Sequence, residues 1–285
     1  RYFSLGEIEF RTTGSDQEVP VIRKPNELTV DIAYSLKLSD QFSMGVGLKY
    51  IRSDLKLDGS NSTGVSSSGP ASSFAVDIGG YYESDEKAYE SFNGKWRGGF
   101  ALQNIGPKIK YEEDGDESFL PTTFRLGGGF DFILDGANSI GVTLETTKLL
   151  VPTPPKLGYI DVDGNGVQGN NETTVVLEGK DPDVNFTKGM VQSFNDAPGG
   201  FSEELNELTY SLSAEYMYQQ SFAFRLGYFH EHETKGARKF FSLGAGFKYN
   251  VVNIDVSYLL STSKVVSPLE NTLRFSLSFN IGESN

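Results

Sequence analysis

The chain has 285 residues, no Cys, two His, and 25 Lys+Arg against 38 Asp+Glu, for a net charge of −13. The lack of cysteine excludes disulfide scaffolds, thiolate metal sites, Cys nucleophiles and thiol redox chemistry, and a pI near 4.7 argues against a nucleic-acid partner, which needs a basic face. Mean hydropathy is −0.32 and no run of apolar residues exceeds three, so the chain has no transmembrane helix, whereas a transmembrane β-barrel hides its membrane signal in alternation.

Arg1-Tyr2-Phe3-Ser4-Leu5-Gly6 reads as the interior of a strand with nothing upstream for it to follow, so the sequence is read as a fragment whose N-terminal part, export signal included, precedes Arg1. From 27 to 38, Leu28, Val30, Ile32, Tyr34 and Leu36 are apolar at every second position, with Thr29, Asp31, Ala33, Ser35 and Lys37 between them. That is the two-residue period of a strand with one apolar face. Phe42, Met44, Val46, Leu48 and Tyr50 continue it after a tight turn; Phe124, Leu126, Phe130 and Phe132 repeat it, and Leu273, Phe275, Leu277, Phe279 and Ile281 close the series. The pattern predicts about twelve strands of roughly 9 to 13 residues, long enough to cross a bilayer at a tilt. They fall near 1–11, 27–38, 42–56, 71–83, 95–105, 122–134, 139–148, 207–219, 222–233, 240–250, 252–262 and 271–282. Only 184–206 has room for a short helix, interrupted by Asp196-Ala197-Pro198-Gly199-Gly200.

The polar face is mostly Ser, Gly and Thr. It carries Lys37, Lys49, Arg97, Arg125, Arg225, Lys248 and Arg274 against Asp31, Asp77, Asp131, Glu145, Glu215 and Asp255. Small residues with nearly balanced charge suit a crowded lumen better than a water-facing wall, and the net charge of −13 then resides in the loops. Links alternate between tight turns (39–41, 135–138, 219–221, 250–251) and long segments (12–26, 57–70, 106–121, 149–206), the asymmetry of periplasmic turns and extracellular loops; 84–94 is longer than its side of the barrel predicts. Tyr34, Tyr50, Tyr82, Trp96, Tyr216, Tyr218, Tyr249 and Tyr258 lie on the apolar face, several near strand ends where an interfacial girdle sits. The fold expected is an all-β, antiparallel up-and-down transmembrane barrel, one domain over 1–285 with a large extracellular insertion at 149–206; a soluble β protein is the competing reading.

Asp161, Asp163, Asn165 and Glu172 match D-x-[DN]-x-[DN]-G-x5-E, a spacing that wraps oxygen ligands around Ca²⁺, although neither flank reads as a helix and a mobile polar loop matches it by composition. His230 and His232 offer two imidazoles near a strand end without a third ligand at fixed spacing. No G-x-S-x-G elbow or phosphate-binding glycine loop is present, so no enzyme is expected and no cofactor beyond that Ca²⁺ loop. In the long insertion, Met190, Val191, Phe194 and Phe201 sit in a polar setting, where they either fold the loop over the barrel mouth or dock another protein.

Five stretches carry a family resemblance: Arg1 to Gly6 (RYFSLG), Lys148 to Pro155 (KLLVPTPP), Gln192 to Leu205 (QSFNDAPGGFSEEL), Gly227 to Glu231 (GYFHE) and Gly236 to Tyr249 (GARKFFSLGAGFKY). The second and third are specific, whereas SLGAGFKY is partly generic barrel strand, echoed at Ser43 to Tyr50. Together they resemble the PorV family, outer-membrane barrels of the type IX secretion system within the wider FadL-like group of fourteen-stranded barrels. The resemblance implies two further strands and a plug before Arg1. It also implies a carrier that takes cargo proteins by their C-terminal signal domain at a giant translocon barrel (Sov- or SprA-like) and delivers them to a PorU-like sortase, in contact with outer-membrane lipid and lipopolysaccharide. The alternatives are a FadL-type transporter of fatty acids, with an apolar lumen pocket and a lateral opening, and a lipid A-modifying barrel with a nucleophile beside His230 or His232.

Overall fold

A computed structural model of the chain describes residues 1–10, 21–54, 70–111, 116–160, 173–263 and 271–280. The chain begins with three short strands, β1 (Tyr2–Ser4), β2 (Ile8–Phe10) and β3 (Val21–Arg23), then β4 (Asn26–Lys37), β5 (Phe42–Asp54) and β6 (Ala71–Glu83). A two-residue β7 (Lys87–Ala88) precedes β8 (Asn93–Ile105), and a small hairpin, β9 (Ile109–Lys110) and β10 (Glu117–Ser118), separates β8 from β11 (Thr123–Ile133) and β12 (Asn138–Leu149). The long insertion holds β13 (Lys156–Tyr159), β14 (Thr174–Glu178), α1 (Phe186–Gln192) and α2 (Phe201–Asn206). The chain then runs through β15 (Leu208–Tyr218), β16 (Phe222–His230), β17 (Lys239–Tyr249), β18 (Val252–Ser261) and β19 (Leu273–Phe279).

Twelve of these strands form one antiparallel path, β1-β4-β5-β6-β8-β11-β12-β15-β16-β17-β18-β19, in which chain neighbours are sheet neighbours: the up-and-down topology that the alternation predicts. Among the described residues the path is not closed, β1 pairing only with β4 and β19 only with β18. The first expected strand is corrected. Gly6 has φ +78°, a left-handed conformation that turns the chain out of the sheet after β1, and the residues beyond it form a separate β2–β3 hairpin. A further correction concerns the loops, since 106–121 and 149–206 each contain a small two-stranded sheet; the stretch with room for a short helix, 184–206, holds two, α1 and α2, one on each side of the 196–200 interruption. The 84–94 link is long because β7 folds back on β8.

The two faces of the sheet are chemically opposite. Apolar side chains pair across strands (Val30 with Tyr50, Ile32 with Leu48, Tyr50 with Phe74, Trp96 with Phe130) and yet stay open: Ile32 is 74 % exposed, Tyr34 70 % and Phe275 73 %. Among the described residues few apolar side chains are fully buried, with Ala71, Ala75, Ile109 and Leu120 forming the core cluster. A sheet whose apolar side is its exposed side has the polarity of a membrane wall and not of a water-soluble sandwich. On the opposite face, Lys49 Nζ lies 3.1 Å from Asp77 and 3.9 Å from Asp31, Arg97 pairs with Asp131 at 2.7 Å, Arg125 with Glu145 at 3.7 Å, and Arg225 bridges Glu215 and Asp255. Of the charges expected to cross-link a lumen, Lys49, Arg97 and Arg125 pair between adjacent strands, and Arg225 also reaches across β17 to β18.

One irregularity breaks the wall. The β6–β8 ladder runs in register from Glu83–Arg97 to Ile78–Leu102, then shifts by a residue so that Val76 faces Ile105. Asn104, at φ 59°, is the extra residue; its backbone N–H donates to Asp77 Oδ1 (2.7 Å) and its side-chain carbonyl accepts from Lys49 Nζ (2.6 Å). Past this bulge β8 leaves β6, and the described residues on either side of 112–115 pack beside the upper part of β6 on its small-residue face. There Ile109 and Leu120 contact Ala71 and Ala75, and Tyr111 Oη donates to Ser53 Oγ at 3.2 Å.

Candidate functional site

The described residues of the insertion after β12 form a folded cap at the rim of the sheet where β12 ends and β15 begins. Its foundation is Lys148, the penultimate residue of β12. This side chain is almost wholly buried, with Nζ 2.9 Å from Glu204 Oε2 and 2.7 Å from Glu207 Oε2. Glu203 and Glu207 are one helical turn apart, so both reach one cation: Lys235, in the β16–β17 loop, lies 2.6 Å from Glu203 Oε1 and 3.0 Å from Glu207 Oε1. The Thr153 hydroxyl donates to Glu207, the Ala197 N–H to Glu204 Oε1 (2.9 Å) and the Gly199 N–H to Glu203 Oε2 (2.7 Å). Two lysines and three glutamates thus tie α2 to β12 on one side and to the β16–β17 loop on the other. That loop is itself closed by a bidentate pair between Arg238 and Glu231, at 2.7 and 2.8 Å.

α1 starts on Asn185, whose Oδ1 accepts the Lys188 N–H at 2.8 Å, a standard side-chain cap. It rests on the 106–121 segment through Gly189, where a Cβ would lie 2.7 Å from the Phe119 ring and 3.1 Å from Pro152. Lys108 fixes the same contact, sitting 4.5 Å over the Phe119 ring and 3.4 Å from Asp183. Gln192 Nε2 donates to the Asp181 carbonyl at 2.8 Å, holding the end of α1 to the strand of chain that leads into it.

Electrostatics follow this geometry. Burial pushes the Glu207 carboxyl up, but donation from Lys148, Thr153 and Lys235 outweighs it and holds the group below the ordinary glutamate range. The hydrogen bond from Lys235 lowers Glu203, and Arg238 overcomes burial to lower Glu231. Asp196 goes the other way. It is 1 % exposed, its Oδ2 accepts the Thr153 N–H at 3.2 Å, its Oδ1 has no partner, and burial together with the charges of Glu204 and Glu207 raises its affinity for a proton.

Of the residues singled out for docking, Val191 (74 % exposed), Phe194 (53 %) and Phe201 (78 %) project from the cap, whereas Met190 is half-buried, its carbonyl accepting from Ser193 Oγ. Phe194 lies toward Lys148, whose Nζ is 5.8 Å from the ring centroid, and Phe201 opens α2 beyond the 196–200 turn. The Asp161, Asp163, Asn165 and Glu172 motif lies outside the described residues. His230 ends β16 beside Tyr228 and His232 contacts Thr234, with Nδ1 at 3.5 and 2.9 Å from the two hydroxyls. Among the described residues no group of three or more metal-binding side chains converges.

Sequence reasoning missed the Lys148–Glu204–Glu207–Lys235 cluster. Two signals were there: Lys148 is a cation at an apolar-face position, and Glu203, Glu204 and Glu207 have helical spacing next to it in the fold but 55 to 59 residues away in the chain.

No curated protein matches the chain. Among solved structures, the crystal structure of Acinetobacter baumannii OccAB2 aligns over 92 % of this chain and 68 % of its own, at 9 % identity and a TM-score of 0.34. The family model for the type IX secretion system protein PorV matches residues 1–156. That match takes in more than half of the chain, from β1 through β12 and into β13. The chain belongs to the PorV family of type IX secretion system proteins.

Proposed function

We propose that the protein is an integral outer-membrane component of type IX secretion, with its cap and long loops facing outside, that receives cargo by the C-terminal signal domain at the translocon barrel and hands it to the cell-surface sortase. Family membership supports the pathway. The observation that carries a docking role is the cap itself: a rim insertion fixed to two separate parts of the barrel, by a buried ion pair at Lys148 and a half-buried one at Lys235, yet presenting Val191, Phe194 and Phe201 to the exterior. Large exposed apolar side chains on an anchored loop, Leu157 and Leu177 among them, mark a recognition surface, because a loop that only sealed the mouth would bury them. The protein acts by binding, without catalysis. The inner hollow against β6, β8, β11 and β12, about 360 Å³, presents the charges of Arg97, Arg125 and Glu145 alongside Tyr81, Phe100 and glycines, and so is not the uniformly apolar pocket that a fatty-acid transporter predicts.

The test is affinity purification from outer membranes of the protein and of a Val191→Asp/Phe201→Asp variant. Recovery of translocon barrel or sortase with the parent, and its loss with the variant at unchanged heat-modifiable migration of the barrel, is the expected result. Equal recovery by both refutes the cap as the docking surface, and recovery of bound fatty acid without either protein supports the transporter.

A further inference from the structure

The bulge between β6 and β8 has a counterpart on the apolar face. Where β8 leaves β6, an apolar groove of about 520 Å³ opens on the outer wall, floored by Val30, Ile32, Leu48 and Phe74 and walled by Pro107 and by Phe186 from the cap. The volume is in the ~300–1,000 Å³ range of sites that hold small ligands. Gly106 lets the departing chain lie against β6: a Cβ there would fall 2.1 Å from the Phe74 carbonyl oxygen. The groove is thus built by a specific backbone irregularity and is more than a gap between side chains.

Its chemistry selects the occupant. The polar groups that border it are already engaged, Tyr50 Oη with Ser72 Oγ at 3.1 Å and Lys49 with Asp77 and Asn104 on the opposite face. The side chains that line it offer a ligand aliphatic and aromatic carbon, so a polar ligand's groups would find no free side-chain partner there, at several kcal/mol each in an apolar setting. Hydrocarbon has no such groups. The open side of the groove is continuous with the exposed apolar surface of β4 and β5, which in the outer-membrane reading faces the lipid.

We propose that this groove holds an acyl chain of an outer-membrane lipid, clamped between the β4–β6 wall and Phe186, so that a bound lipid fastens the start of α1 to the barrel. The inference rests on the outer-membrane reading above, and the experiment separates the two. Trp96 is the chain's one tryptophan and stands 55 % exposed on the apolar face, which makes it an internal marker for membrane insertion. The intact protein, and Phe186→Trp and Phe201→Trp variants in a Trp96→Phe background, are reconstituted into phosphatidylcholine vesicles with mid-chain brominated acyl groups, and fluorescence quenching is compared with that in unbrominated vesicles.

The expected result is that Trp96 and the indole introduced by Phe186→Trp are quenched to a similar degree while the one introduced by Phe201→Trp, on the exposed cap, is not. If Trp96 is quenched but Phe186→Trp quenches no more than Phe201→Trp, the groove assignment is overturned and the membrane reading stands. If Trp96 itself is not quenched, both fall.

Discussion

Replacing Lys148 by methionine keeps the volume of the side chain but removes its charge from a pocket where Glu204 and Glu207 lie 2.9 and 2.7 Å away, all three side chains being no more than 10 % exposed. Breaking a buried ion pair from one side leaves carboxylates desolvated without compensation, at about 3–5 kcal/mol. Glu207 retains Lys235 and Thr153, whereas Glu204 retains only the Ala197 N–H, so the cost falls at the lower end, about 3 kcal/mol. This energy acts on the cap and not on the twelve-stranded wall, because the cap is the element that Lys148 ties down. The local opening equilibrium of 186–207 is expected to rise by roughly 10²-fold. Amide hydrogen exchange is the assay: residues 186–207 lose protection by that factor while β11 and β12 exchange as in the parent. Adding Glu204→Gln and Glu207→Gln to Lys148→Met removes the uncompensated charge and restores much of the protection. Unchanged exchange across 186–207 in Lys148→Met would refute the idea that this cluster is the anchor.

Acidification is expected to loosen the same cap. Glu203, Glu207 and Glu231 have lowered proton affinity in the folded state, so their contribution is present above the ordinary glutamate pKa of about 4.3 and is lost as pH falls through their folded values; exchange of 186–207 should accelerate below that pH. Asp196 has the opposite sign, its raised folded pKa making the ionised form a burden at neutral pH, so Asp196→Asn is expected to slow exchange of the 196–207 stretch at pH 7 while leaving pH 4 behaviour nearly unchanged. Gly106→Ala drives a methyl toward the Phe74 carbonyl, which belongs to backbone and cannot rotate away; a loss of about 1–3 kcal/mol is expected, read as a lower temperature for the heat-induced gel shift of the barrel. Gly136, in the β11–β12 turn with nothing within 4 Å of its Cβ position, is the control, and Gly136→Ala should leave that temperature unchanged.

The wall was legible because its signal is local. Phe42–Asp54 and Ala71–Glu83 form where the sequence alternates, since a period of two writes the strand, its face and nearly its ends into consecutive residues. Expectation failed where one residue redirects the chain without disturbing composition: Gly6 ends β1 although Ile8 and Phe10 prolong the apolar pattern beyond it. The cap was legible only as a region. Its exposed Val191 and Phe201 stood out against a polar background, but its anchor depends on pairs such as Lys148–Glu204 and Lys235–Glu207, which chain order keeps apart and only the closed hairpins of the wall bring together. The β6–β8 bulge has a faint signature at best, an Asn before Ile-Gly-Pro at 104–107, because a one-residue shift changes no apolar count.

The inner ion pairs raise the question of what they contribute in a wall that hydrogen-bonded ladders already hold together. Stability is a poor answer, since such pairs recover little more than the desolvation they incur. Register is a better one. Arg225 on β16 reaches Glu215 on β15 and Asp255, which lies on β18 beyond the Gly244–Gly246 stretch of β17, so one guanidinium fixes the relative positions of four consecutive strands. Lys49 does the same for β4, β5 and β6. A slip of one residue in any of these ladders turns every side chain of the strand to the other face. It would carry Arg225 or Lys49 into hydrocarbon at about 2–4 kcal/mol for each cation near the bilayer midplane, besides burying Phe224 or Leu48 against the lumen. The apolar face already opposes such a slip, since Phe224, Leu226 and Tyr228 would leave the lipid together, and the charges add to that penalty. The cations therefore penalise the wrong registers more than they favour the right one, and the glycines opposite them, Gly244 and Gly246 with Cβ positions 3.3 and 3.0 Å from Arg225, leave the room that lets the bridge span the strands.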